Sequence, residues 1–448
     1  HNPRMQQILE GSIPVMLLRL SAPNVLAVTT MTAVTFADIY FIGKLGTTAL
    51  ASLAIVFPFQ TLMGMMSNGA IGGGVASSIV RALGSGSKTE AENTAWHAFI
   101  IASVMAILYV LILGLGARPI FGLITDSNEL LNGSVRYAHI VFGAAPIMWF
   151  TFMLAAILRG TGEMVIASNA VIVSGLIHIA LSGALTLGWG PFPELGLIGP
   201  ACAMVLSTGL AGIYLAFQVL NGKARLKLRS HKLQWHPITD VMKVGGLGLI
   251  NSTGLVLTVI VVTALVGRYG EDALAGYGLG SRLELTLVPI AFGIGAALVT
   301  AVGGNIGARQ FPRARKIAWT GAGATFVITS IAGIVIAMEP SIWINRFTTD
   351  SNVHSMGVSY LTIAAPIYGV FAGGQTLYFA SQGTGNMIWP VVITYTRFLV
   401  VASVGFTAMI FDWGLNATFT GVAIGLAVLG VGQIINVLFT PAWNRDRT

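Results

Sequence analysis

Apolar stretches long enough to cross a bilayer recur along this chain, about twenty residues each for a hydrocarbon layer of ~30 Å, with polar or Gly- and Pro-rich breaks between them. Lipid offers no water to unpaired peptide groups, so such stretches fold as helices whose backbone bonds close within each segment. Twelve fit, near residues 15–41, 48–76, 94–116, 134–158, 164–187, 197–220, 241–266, 273–303, 317–338, 357–380, 387–411 and 417–440. With 55% hydrophobic and only 9% charged residues among 448, no soluble core could absorb them. The chain is expected to be an all-α polytopic membrane protein.

Positive charge sets the expected orientation. The two ends and the even-numbered connections carry Arg4, Arg81, Lys88, Arg159, six cations from Lys223 to Lys243, four from Arg309 to Lys316, and Arg445 with Arg447, sixteen in all. The odd-numbered connections hold five, Lys44, Arg118, Arg136, Arg268 and Arg346, and Arg19, Arg282 and Arg397 fall inside spans. The positive-inside rule then puts both termini in the cytoplasm, with the protein multi-pass in the cell (inner) membrane. The net charge of +8 is dispersed among spans instead of forming one patch, so lipid is the expected macroscopic partner and nucleic acid is not. Even the longest polar segment, from Asn221 to Pro237, reads as a basic cytoplasmic loop. A single cysteine, Cys202, leaves no intrachain disulfide to form. The opening residues HNPRM lack the regions of a signal peptide and read as a tag remnant before Met5.

The chain repeats itself at nearly one offset. A shift of 224 lays GTTALA from Gly46 on GEDALA from Gly270, and TDSN from Thr125 on TDSN from Thr349. A shift of 223 aligns Gly84 with Gly307, Trp96 with Trp319 and Tyr137 with Tyr360; Ala145-Pro146 matches Ala365-Pro366 at 220. The predicted organisation is a six-helix bundle over 1–220, a basic linker over 221–240 and a second six-helix bundle over 241–448. Six crossings return the chain to its starting side, so the repeats are parallel, an arrangement that in transporters places the substrate path between or within the bundles.

Within the first span stands Asp38, an acid where hydrocarbon would charge at least a few kcal/mol for an ionised group. Such a residue is either a functional site facing protein or water, or a helix-end acid reaching the headgroups. Pro23, fifteen residues earlier, is a candidate hinge because proline removes a helical hydrogen bond, although a tolerated kink would look the same. The run Gly69, Gly72, Gly73 and Gly74 favours close helix packing. Glu284 is the other embedded acid; Arg282, two positions away, lies on a different helix face, so each needs another partner, and Glu284 reads either as a structural ion pair or as a second polar site. Met31, Thr35, Gln60, Met63 and Met153 are candidate cargo-lining residues, since flexible thioethers accept many shapes, and Tyr368, Gln375 and Tyr378 have similar standing.

ADIYFIGKLGTTALA around Asp38, NGAIGGGVASSIVRALGSG from Asn68, ILRGTGE from Ile157, PELGLIG from Pro193, LAGYGLGSRLE from Leu274 and GGNIGAR from Gly303 together resemble the multidrug and toxin extrusion (MATE) family, over nearly the whole chain and in order. The SRLE segment is more similar to the DinF-like bacterial branch. The resemblance implies two six-helix bundles around a V-shaped central cleft, and a secondary antiporter that exports organic compounds, cationic and amphipathic ones foremost, against inward protons or sodium. The family's first-helix acid falls on Asp38. Where the DinF-like branch often has an Asn and an Asp in helix 5, this chain has His178 and Ser182; where the NorM-like branch has further carboxylates, it has Leu255 and Ala372. A sodium site prefers several hard oxygens, which imidazole replaces poorly, so protons are the favoured coupling ion over Na⁺, with Asp38 as coupling residue and His178, Ser182 and Glu284 as an auxiliary polar network. A sodium-driven exporter and a lipid or glycolipid flippase of the same superfamily are the alternatives. The seven histidines are scattered and no zincin or serine-hydrolase motif occurs, so no enzyme activity, metal or cofactor is expected, and the chain is expected to act as a monomer on small organic molecules.

Overall fold

A computed structural model describes Pro3–Arg447, apart from the side chains of Thr47, Leu285 and Val288; His1 and Asn2 of the expected tag remnant lie outside the described residues. After a short helix, Pro3–Glu10, come α1 (Ile13–Gly43), α2 (Thr48–Gly84), α3 (Lys88–Leu115), α4 (Asn128–Gly143 continued by Ala145–Gly160), α5 (Met164–Leu187), α6 (Gly196–Leu220), α7 (Trp235–Gly267), α8 (Glu271–Gly307), α9 (Phe311–Met338), α10 (Ser351–Thr384), α11 (Ile388–Ile410) and α12 (Leu415–Phe439). Eleven are single helices long and apolar enough to span a membrane among the described residues, and the bent α4 pair makes twelve. The described residues are all-helical, as the apolar pattern requires.

The α4 bend of 45° falls at Ala144, whose backbone leaves the helical region just before Ala145 and Pro146. Proline has no N–H for the preceding turn, so the helix restarts there with Pro146 in its first turn. At the matching dipeptide, Ala365-Pro366, α10 tightens into a 3₁₀ turn over Ala365–Ile367. In α2, Pro58 is followed by a π-helical turn, Met65–Ile71. Arg159, at the end of α4, donates to Asn68 Oδ1 in that turn at 2.7 Å.

Cα packing divides the chain into two compact units. The first comprises residues 1–6 and 22–245, the second residues 7–21 and 246–448, so α1 and α7 each contribute to both. In the first unit α5 packs along α6, and α4 touches α2, α3 and α6. Its core is Trp149, Phe142 and Tyr109, with ring centroids 6.0–6.2 Å apart around Tyr109. The basic loop is tied down: Lys227 N–H donates to Glu92 Oε1 at 2.8 Å, and Gln234 N–H to His97 Nε2 at 3.0 Å. His97 Nδ1 lies 2.8 Å from the Asn93 carbonyl, so this histidine is a neutral structural link with both nitrogens engaged. α7 begins at Trp235, inside the stretch that the sequence assigns to a linker. Asp240 on its second turn accepts two Arg81 N–H groups at 3.1 and 3.2 Å and the Ser78 hydroxyl at 2.5 Å, while Gly74 lets α2 approach the backbone of Val241 and Gly245.

In the second unit α8 lies along α10, and α9 and α12 also pack on α10. Tyr277, Tyr360 and Phe419 form an aromatic core with centroids 5.0 and 5.1 Å from Tyr360. α10 and α12 cross backbone to backbone: a Cβ on Gly374 would stand 2.5 Å from Gly430 Cα. Gly374→Val is expected to force this crossing apart, at a cost of about 1–3 kcal/mol or more, read as a lowered midpoint of thermal unfolding in detergent; an unchanged midpoint would mean that the two backbones do not meet.

The chain after α12 is fastened by a fork. Arg315 donates to both Asp446 carboxylate oxygens, at 2.7 and 2.8 Å, and to the Trp443 carbonyl at 2.7 Å. These charge-assisted bonds hold the Asp446 carboxyl down at about 2. A carboxyl lowered on folding supports the clip at every pH above its ordinary value and loses it as pH falls from about 4 toward 2. A carboxyl-selective NMR titration should therefore show Asp446 with a midpoint near 2 that returns to about 4 in Arg315→Gln; a wild-type midpoint near 4 would mean that the fork is open in solution.

Candidate coupling site

The register of two parallel helices builds this site. Along α1 and α5, Ser168 Oγ donates to Asn24 Oδ1 at 2.9 Å, Gly175 receives Thr30 against its backbone, and Ser182 Oγ donates to Asp38 Oδ1 at 2.6 Å. The two polar contacts share one offset, 144 residues, and are fourteen residues or about 21 Å apart along the axes. Gly175 between them removes the side chain that would hold the helices apart.

Asp38 is 8% exposed, His178 4% and Ser182 0%. His178 Nε2 lies 2.8 Å from Asp38 Oδ1 and 3.0 Å from Oδ2. His178 and Ser182 are i and i+4, so one face of α5 aims both donors at the same carboxyl. When Asp38 is ionised, Nε2–H and the Ser182 hydroxyl both donate to it, which compensates a charge that would otherwise be unaffordable in this setting. When Asp38 carries a proton, its O–H can donate to a neutral Nε2. The arrangement thus has two self-consistent hydrogen-bond patterns differing by one proton.

One turn beyond Asp38, Phe41 meets Trp189 edge to face at 5.5 Å, both rings lying over Gly183. Tyr137, 1% exposed, stands within electrostatic reach of Asp38 and beside Gln60, whose Nε2 is 2.9 Å from Met204 Sδ. Of the other residues singled out, Met31 is exposed, and Thr35 is half-buried with its hydroxyl on the Met31 carbonyl at 3.3 Å. Met63 and Met153 are fully buried. Pro23 lies inside α1, next to the point where the helix passes from one unit to the other.

Glu284 belongs to the second unit. Its Oε1 accepts the Tyr360 hydroxyl and, at 3.0 Å, that of Tyr368. Among the described residues no ion pair joins it to Arg282, which lies over the Phe347 ring at 6.0 Å, or to Arg397, which acts on it through space and faces Phe371 at 5.3 Å. Tyr137, Tyr368 and Arg397 as neighbours of the two acids were not assigned from sequence. The repeat held a signal for one: Gln60 and Glu284 are 224 apart, Tyr137 and Tyr360 are 223 apart, and each Gln or Glu stands beside its own Tyr.

Comparison with known proteins agrees with this architecture. The MatE family profile matches residues 23–182 and 250–407. "Probable multidrug resistance protein YoeA" of Bacillus subtilis is 27% identical over 361 residues, covering 78% of this chain and 76% of that protein. A FAD transporter of Shewanella oneidensis is 25% identical over 369 residues, 81% of this chain and 80% of the relative. Among solved structures, a MOP superfamily transporter from Pyrococcus furiosus superposes with a TM-score of 0.88 at 21% identity, over 98% of this chain and 97% of that one, which shows the fold.

Ser182→Ala would leave Asp38 with one donor fewer in a buried setting. The expected loss is about 1.5–3 kcal/mol, measured by thermal unfolding in detergent at neutral pH. A variant as stable as the parent would mean that Ser182 does not serve the carboxyl.

Proposed function

The chain belongs to the MatE family of multidrug and toxin extrusion transporters, and from that premise we propose that it is a proton-driven antiporter exporting organic, foremost cationic and amphipathic, compounds, with Asp38 as the coupling carboxyl. The observation that carries this reading is the donor set on Asp38: an imidazole N–H and a hydroxyl, at 2.6–3.0 Å. A sodium ion in that place needs acceptor oxygens from several directions, yet here the carboxylate faces groups that donate to it. A proton needs only one lone pair, and the imidazole 2.8 Å away can rearrange to accept from the acid it formerly stabilised.

In this reading ionised Asp38 attracts a cation and holds its neighbourhood polar. Protonation removes the charge, the α1–α5 bonding pattern changes, and cargo affinity falls; Pro23 is the point at which α1 bends in response. Met31 and Thr35 share a helix face with Asp38, at spacings of seven and three residues, and with Gln60 are the lining residues this reading retains. Met63 and Met153 would meet cargo only in another conformation. His178 and Ser182 position and share the proton, and Glu284 is an auxiliary polar centre of the other unit. The distribution of Lys and Arg supports cytoplasmic termini and a cell-membrane location. Similarity to a FAD transporter favours a second cargo class, the flavin dinucleotide.

Efflux of ethidium and of FAD from proteoliposomes, under an imposed pH gradient or an imposed sodium gradient, tests the proposal. Ethidium efflux is expected to follow the pH gradient and to fall at least tenfold in Asp38→Asn. Efflux that tracks sodium at constant pH would replace the coupling ion, and loss of transport in Glu284→Gln with a silent Asp38→Asn would move the control point to the second unit.

A further inference from the structure

A cavity of about 620 Å³ opens at the polar ends of α9 and α12, walled by the first turns of α9, the last turn of α12 and the residues that follow it. Its walls include Arg315, Lys316, Trp319, Asn444 and Arg447. Arg315 is spoken for by Asp446 and the Trp443 carbonyl, a fork that folds the tail over to close one side. Lys316 and Arg447 are exposed, and their side chains have no hydrogen-bond or ion-pair partner among the described residues. Among the described residues, three cations here stand against one carboxylate, that of Asp446.

Asn444 forms part of the wall. It is 7% exposed, and its Nδ2 donates to the carbonyls of Val437, Leu438 and Thr440 at 2.9–3.2 Å, which fixes the amide orientation. Its Oδ1 is buried too deeply for a bound molecule to touch. Farther along the same two helices, Val327, Ile331 and Ile334 of α9 and Val431 and Ile435 of α12 are exposed apolar side chains. The cavity thus stands where a membrane protein passes from charged end to lipid-facing stem, with an amphipathic Trp319 at its edge.

We propose that this cavity is a binding site for an anionic glycerophospholipid. Lys316 and Arg447 take the phosphate oxygens, and the acyl chains lie along the apolar faces of α9 and α12. Basic cavities between spanning helices on the cytoplasmic side recognise lipid headgroups by this charge pattern. The site is independent of the coupling chemistry at Asp38.

Native mass spectrometry of the full chain, released from nanodiscs of equimolar phosphatidylglycerol, phosphatidylmethanol and phosphatidylcholine, tests it. One phosphatidylglycerol or phosphatidylmethanol per protein should be retained, at least fivefold over phosphatidylcholine. Lys316→Gln with Arg447→Gln should lower retention several-fold, whereas Lys223→Gln with Lys227→Gln, in the basic loop, should not. Equal retention of phosphatidylcholine, indifference to the first pair, or an equal loss from the second pair would overturn the site. Displacement of the lipid by millimolar inorganic phosphate would overturn the lipid assignment in favour of a free anion.

Discussion

A carboxylate inside a lipid-spanning helix has to be answered by neighbouring donors, and the position of Asp38 depends on that demand being met by α5. The answer comes from a single face: His178 and Ser182, one turn apart, reach the same carboxyl at 2.6–3.0 Å. They can do so because α1 and α5 run parallel in a register held at its other end by Asn24 and Ser168. Were that register to slip by one residue, α5 would rotate its donors about 100° away and leave the charge uncompensated.

The second unit shows the same scaffold without the charge. Thr394 donates to Asn251 at 2.6 Å, repeating the Ser168–Asn24 bond at offsets of 226 and 227 residues. Carried along those offsets, Asp38 becomes Leu265, His178 becomes Val404 and Ser182 becomes Ala408. Leu265 and Ala408 are buried and Gly405 packs against Leu265, an apolar contact in place of a hydrogen-bonded one. The reverse holds for Gln60, neutral beside Tyr137, whose counterpart Glu284 is an acid beside Tyr360. Duplication has supplied two similar frames, and substitution has placed an acid at a different position in each.

The Ala-Pro pairs show how a local rule acts inside such a frame. Both mark a departure from regular helix, a 45° bend at Ala144 and a 3₁₀ turn at Ala365, because proline removes a backbone bond in each. The Gly run of α2 has a comparably plain role, with Gly74 letting the backbone of α7 come close. Charge at the helix ends is used for fastening as well as orientation, as Arg81 with Asp240 and Arg315 with Asp446 show.

Much of the architecture was legible in the chain itself, because lipid leaves an apolar segment only the helix and fixes its length, and because a duplicated gene leaves its offset in the text. The twelve spans and the exceptional character of Asp38 follow from those two facts, whereas the Ala-Pro pairs served there only as a repeat match and their bends came from the structure. Sequence reasoning also named His178 and Ser182, as departures from the helix 5 pattern of the family that the chain resembles, but could not say that both point at Asp38. That depends on the α1–α5 register, which is set by packing among Asn24, Thr30, Ser168 and Gly175, residues with no individual signature. Nor could it choose for Glu284 between an arginine and the hydroxyls of Tyr360 and Tyr368, because helix periodicity fixes which way a side chain leaves its own helix and is silent on which helix waits there. Only the tertiary packing of α8 against α10 decided that partner.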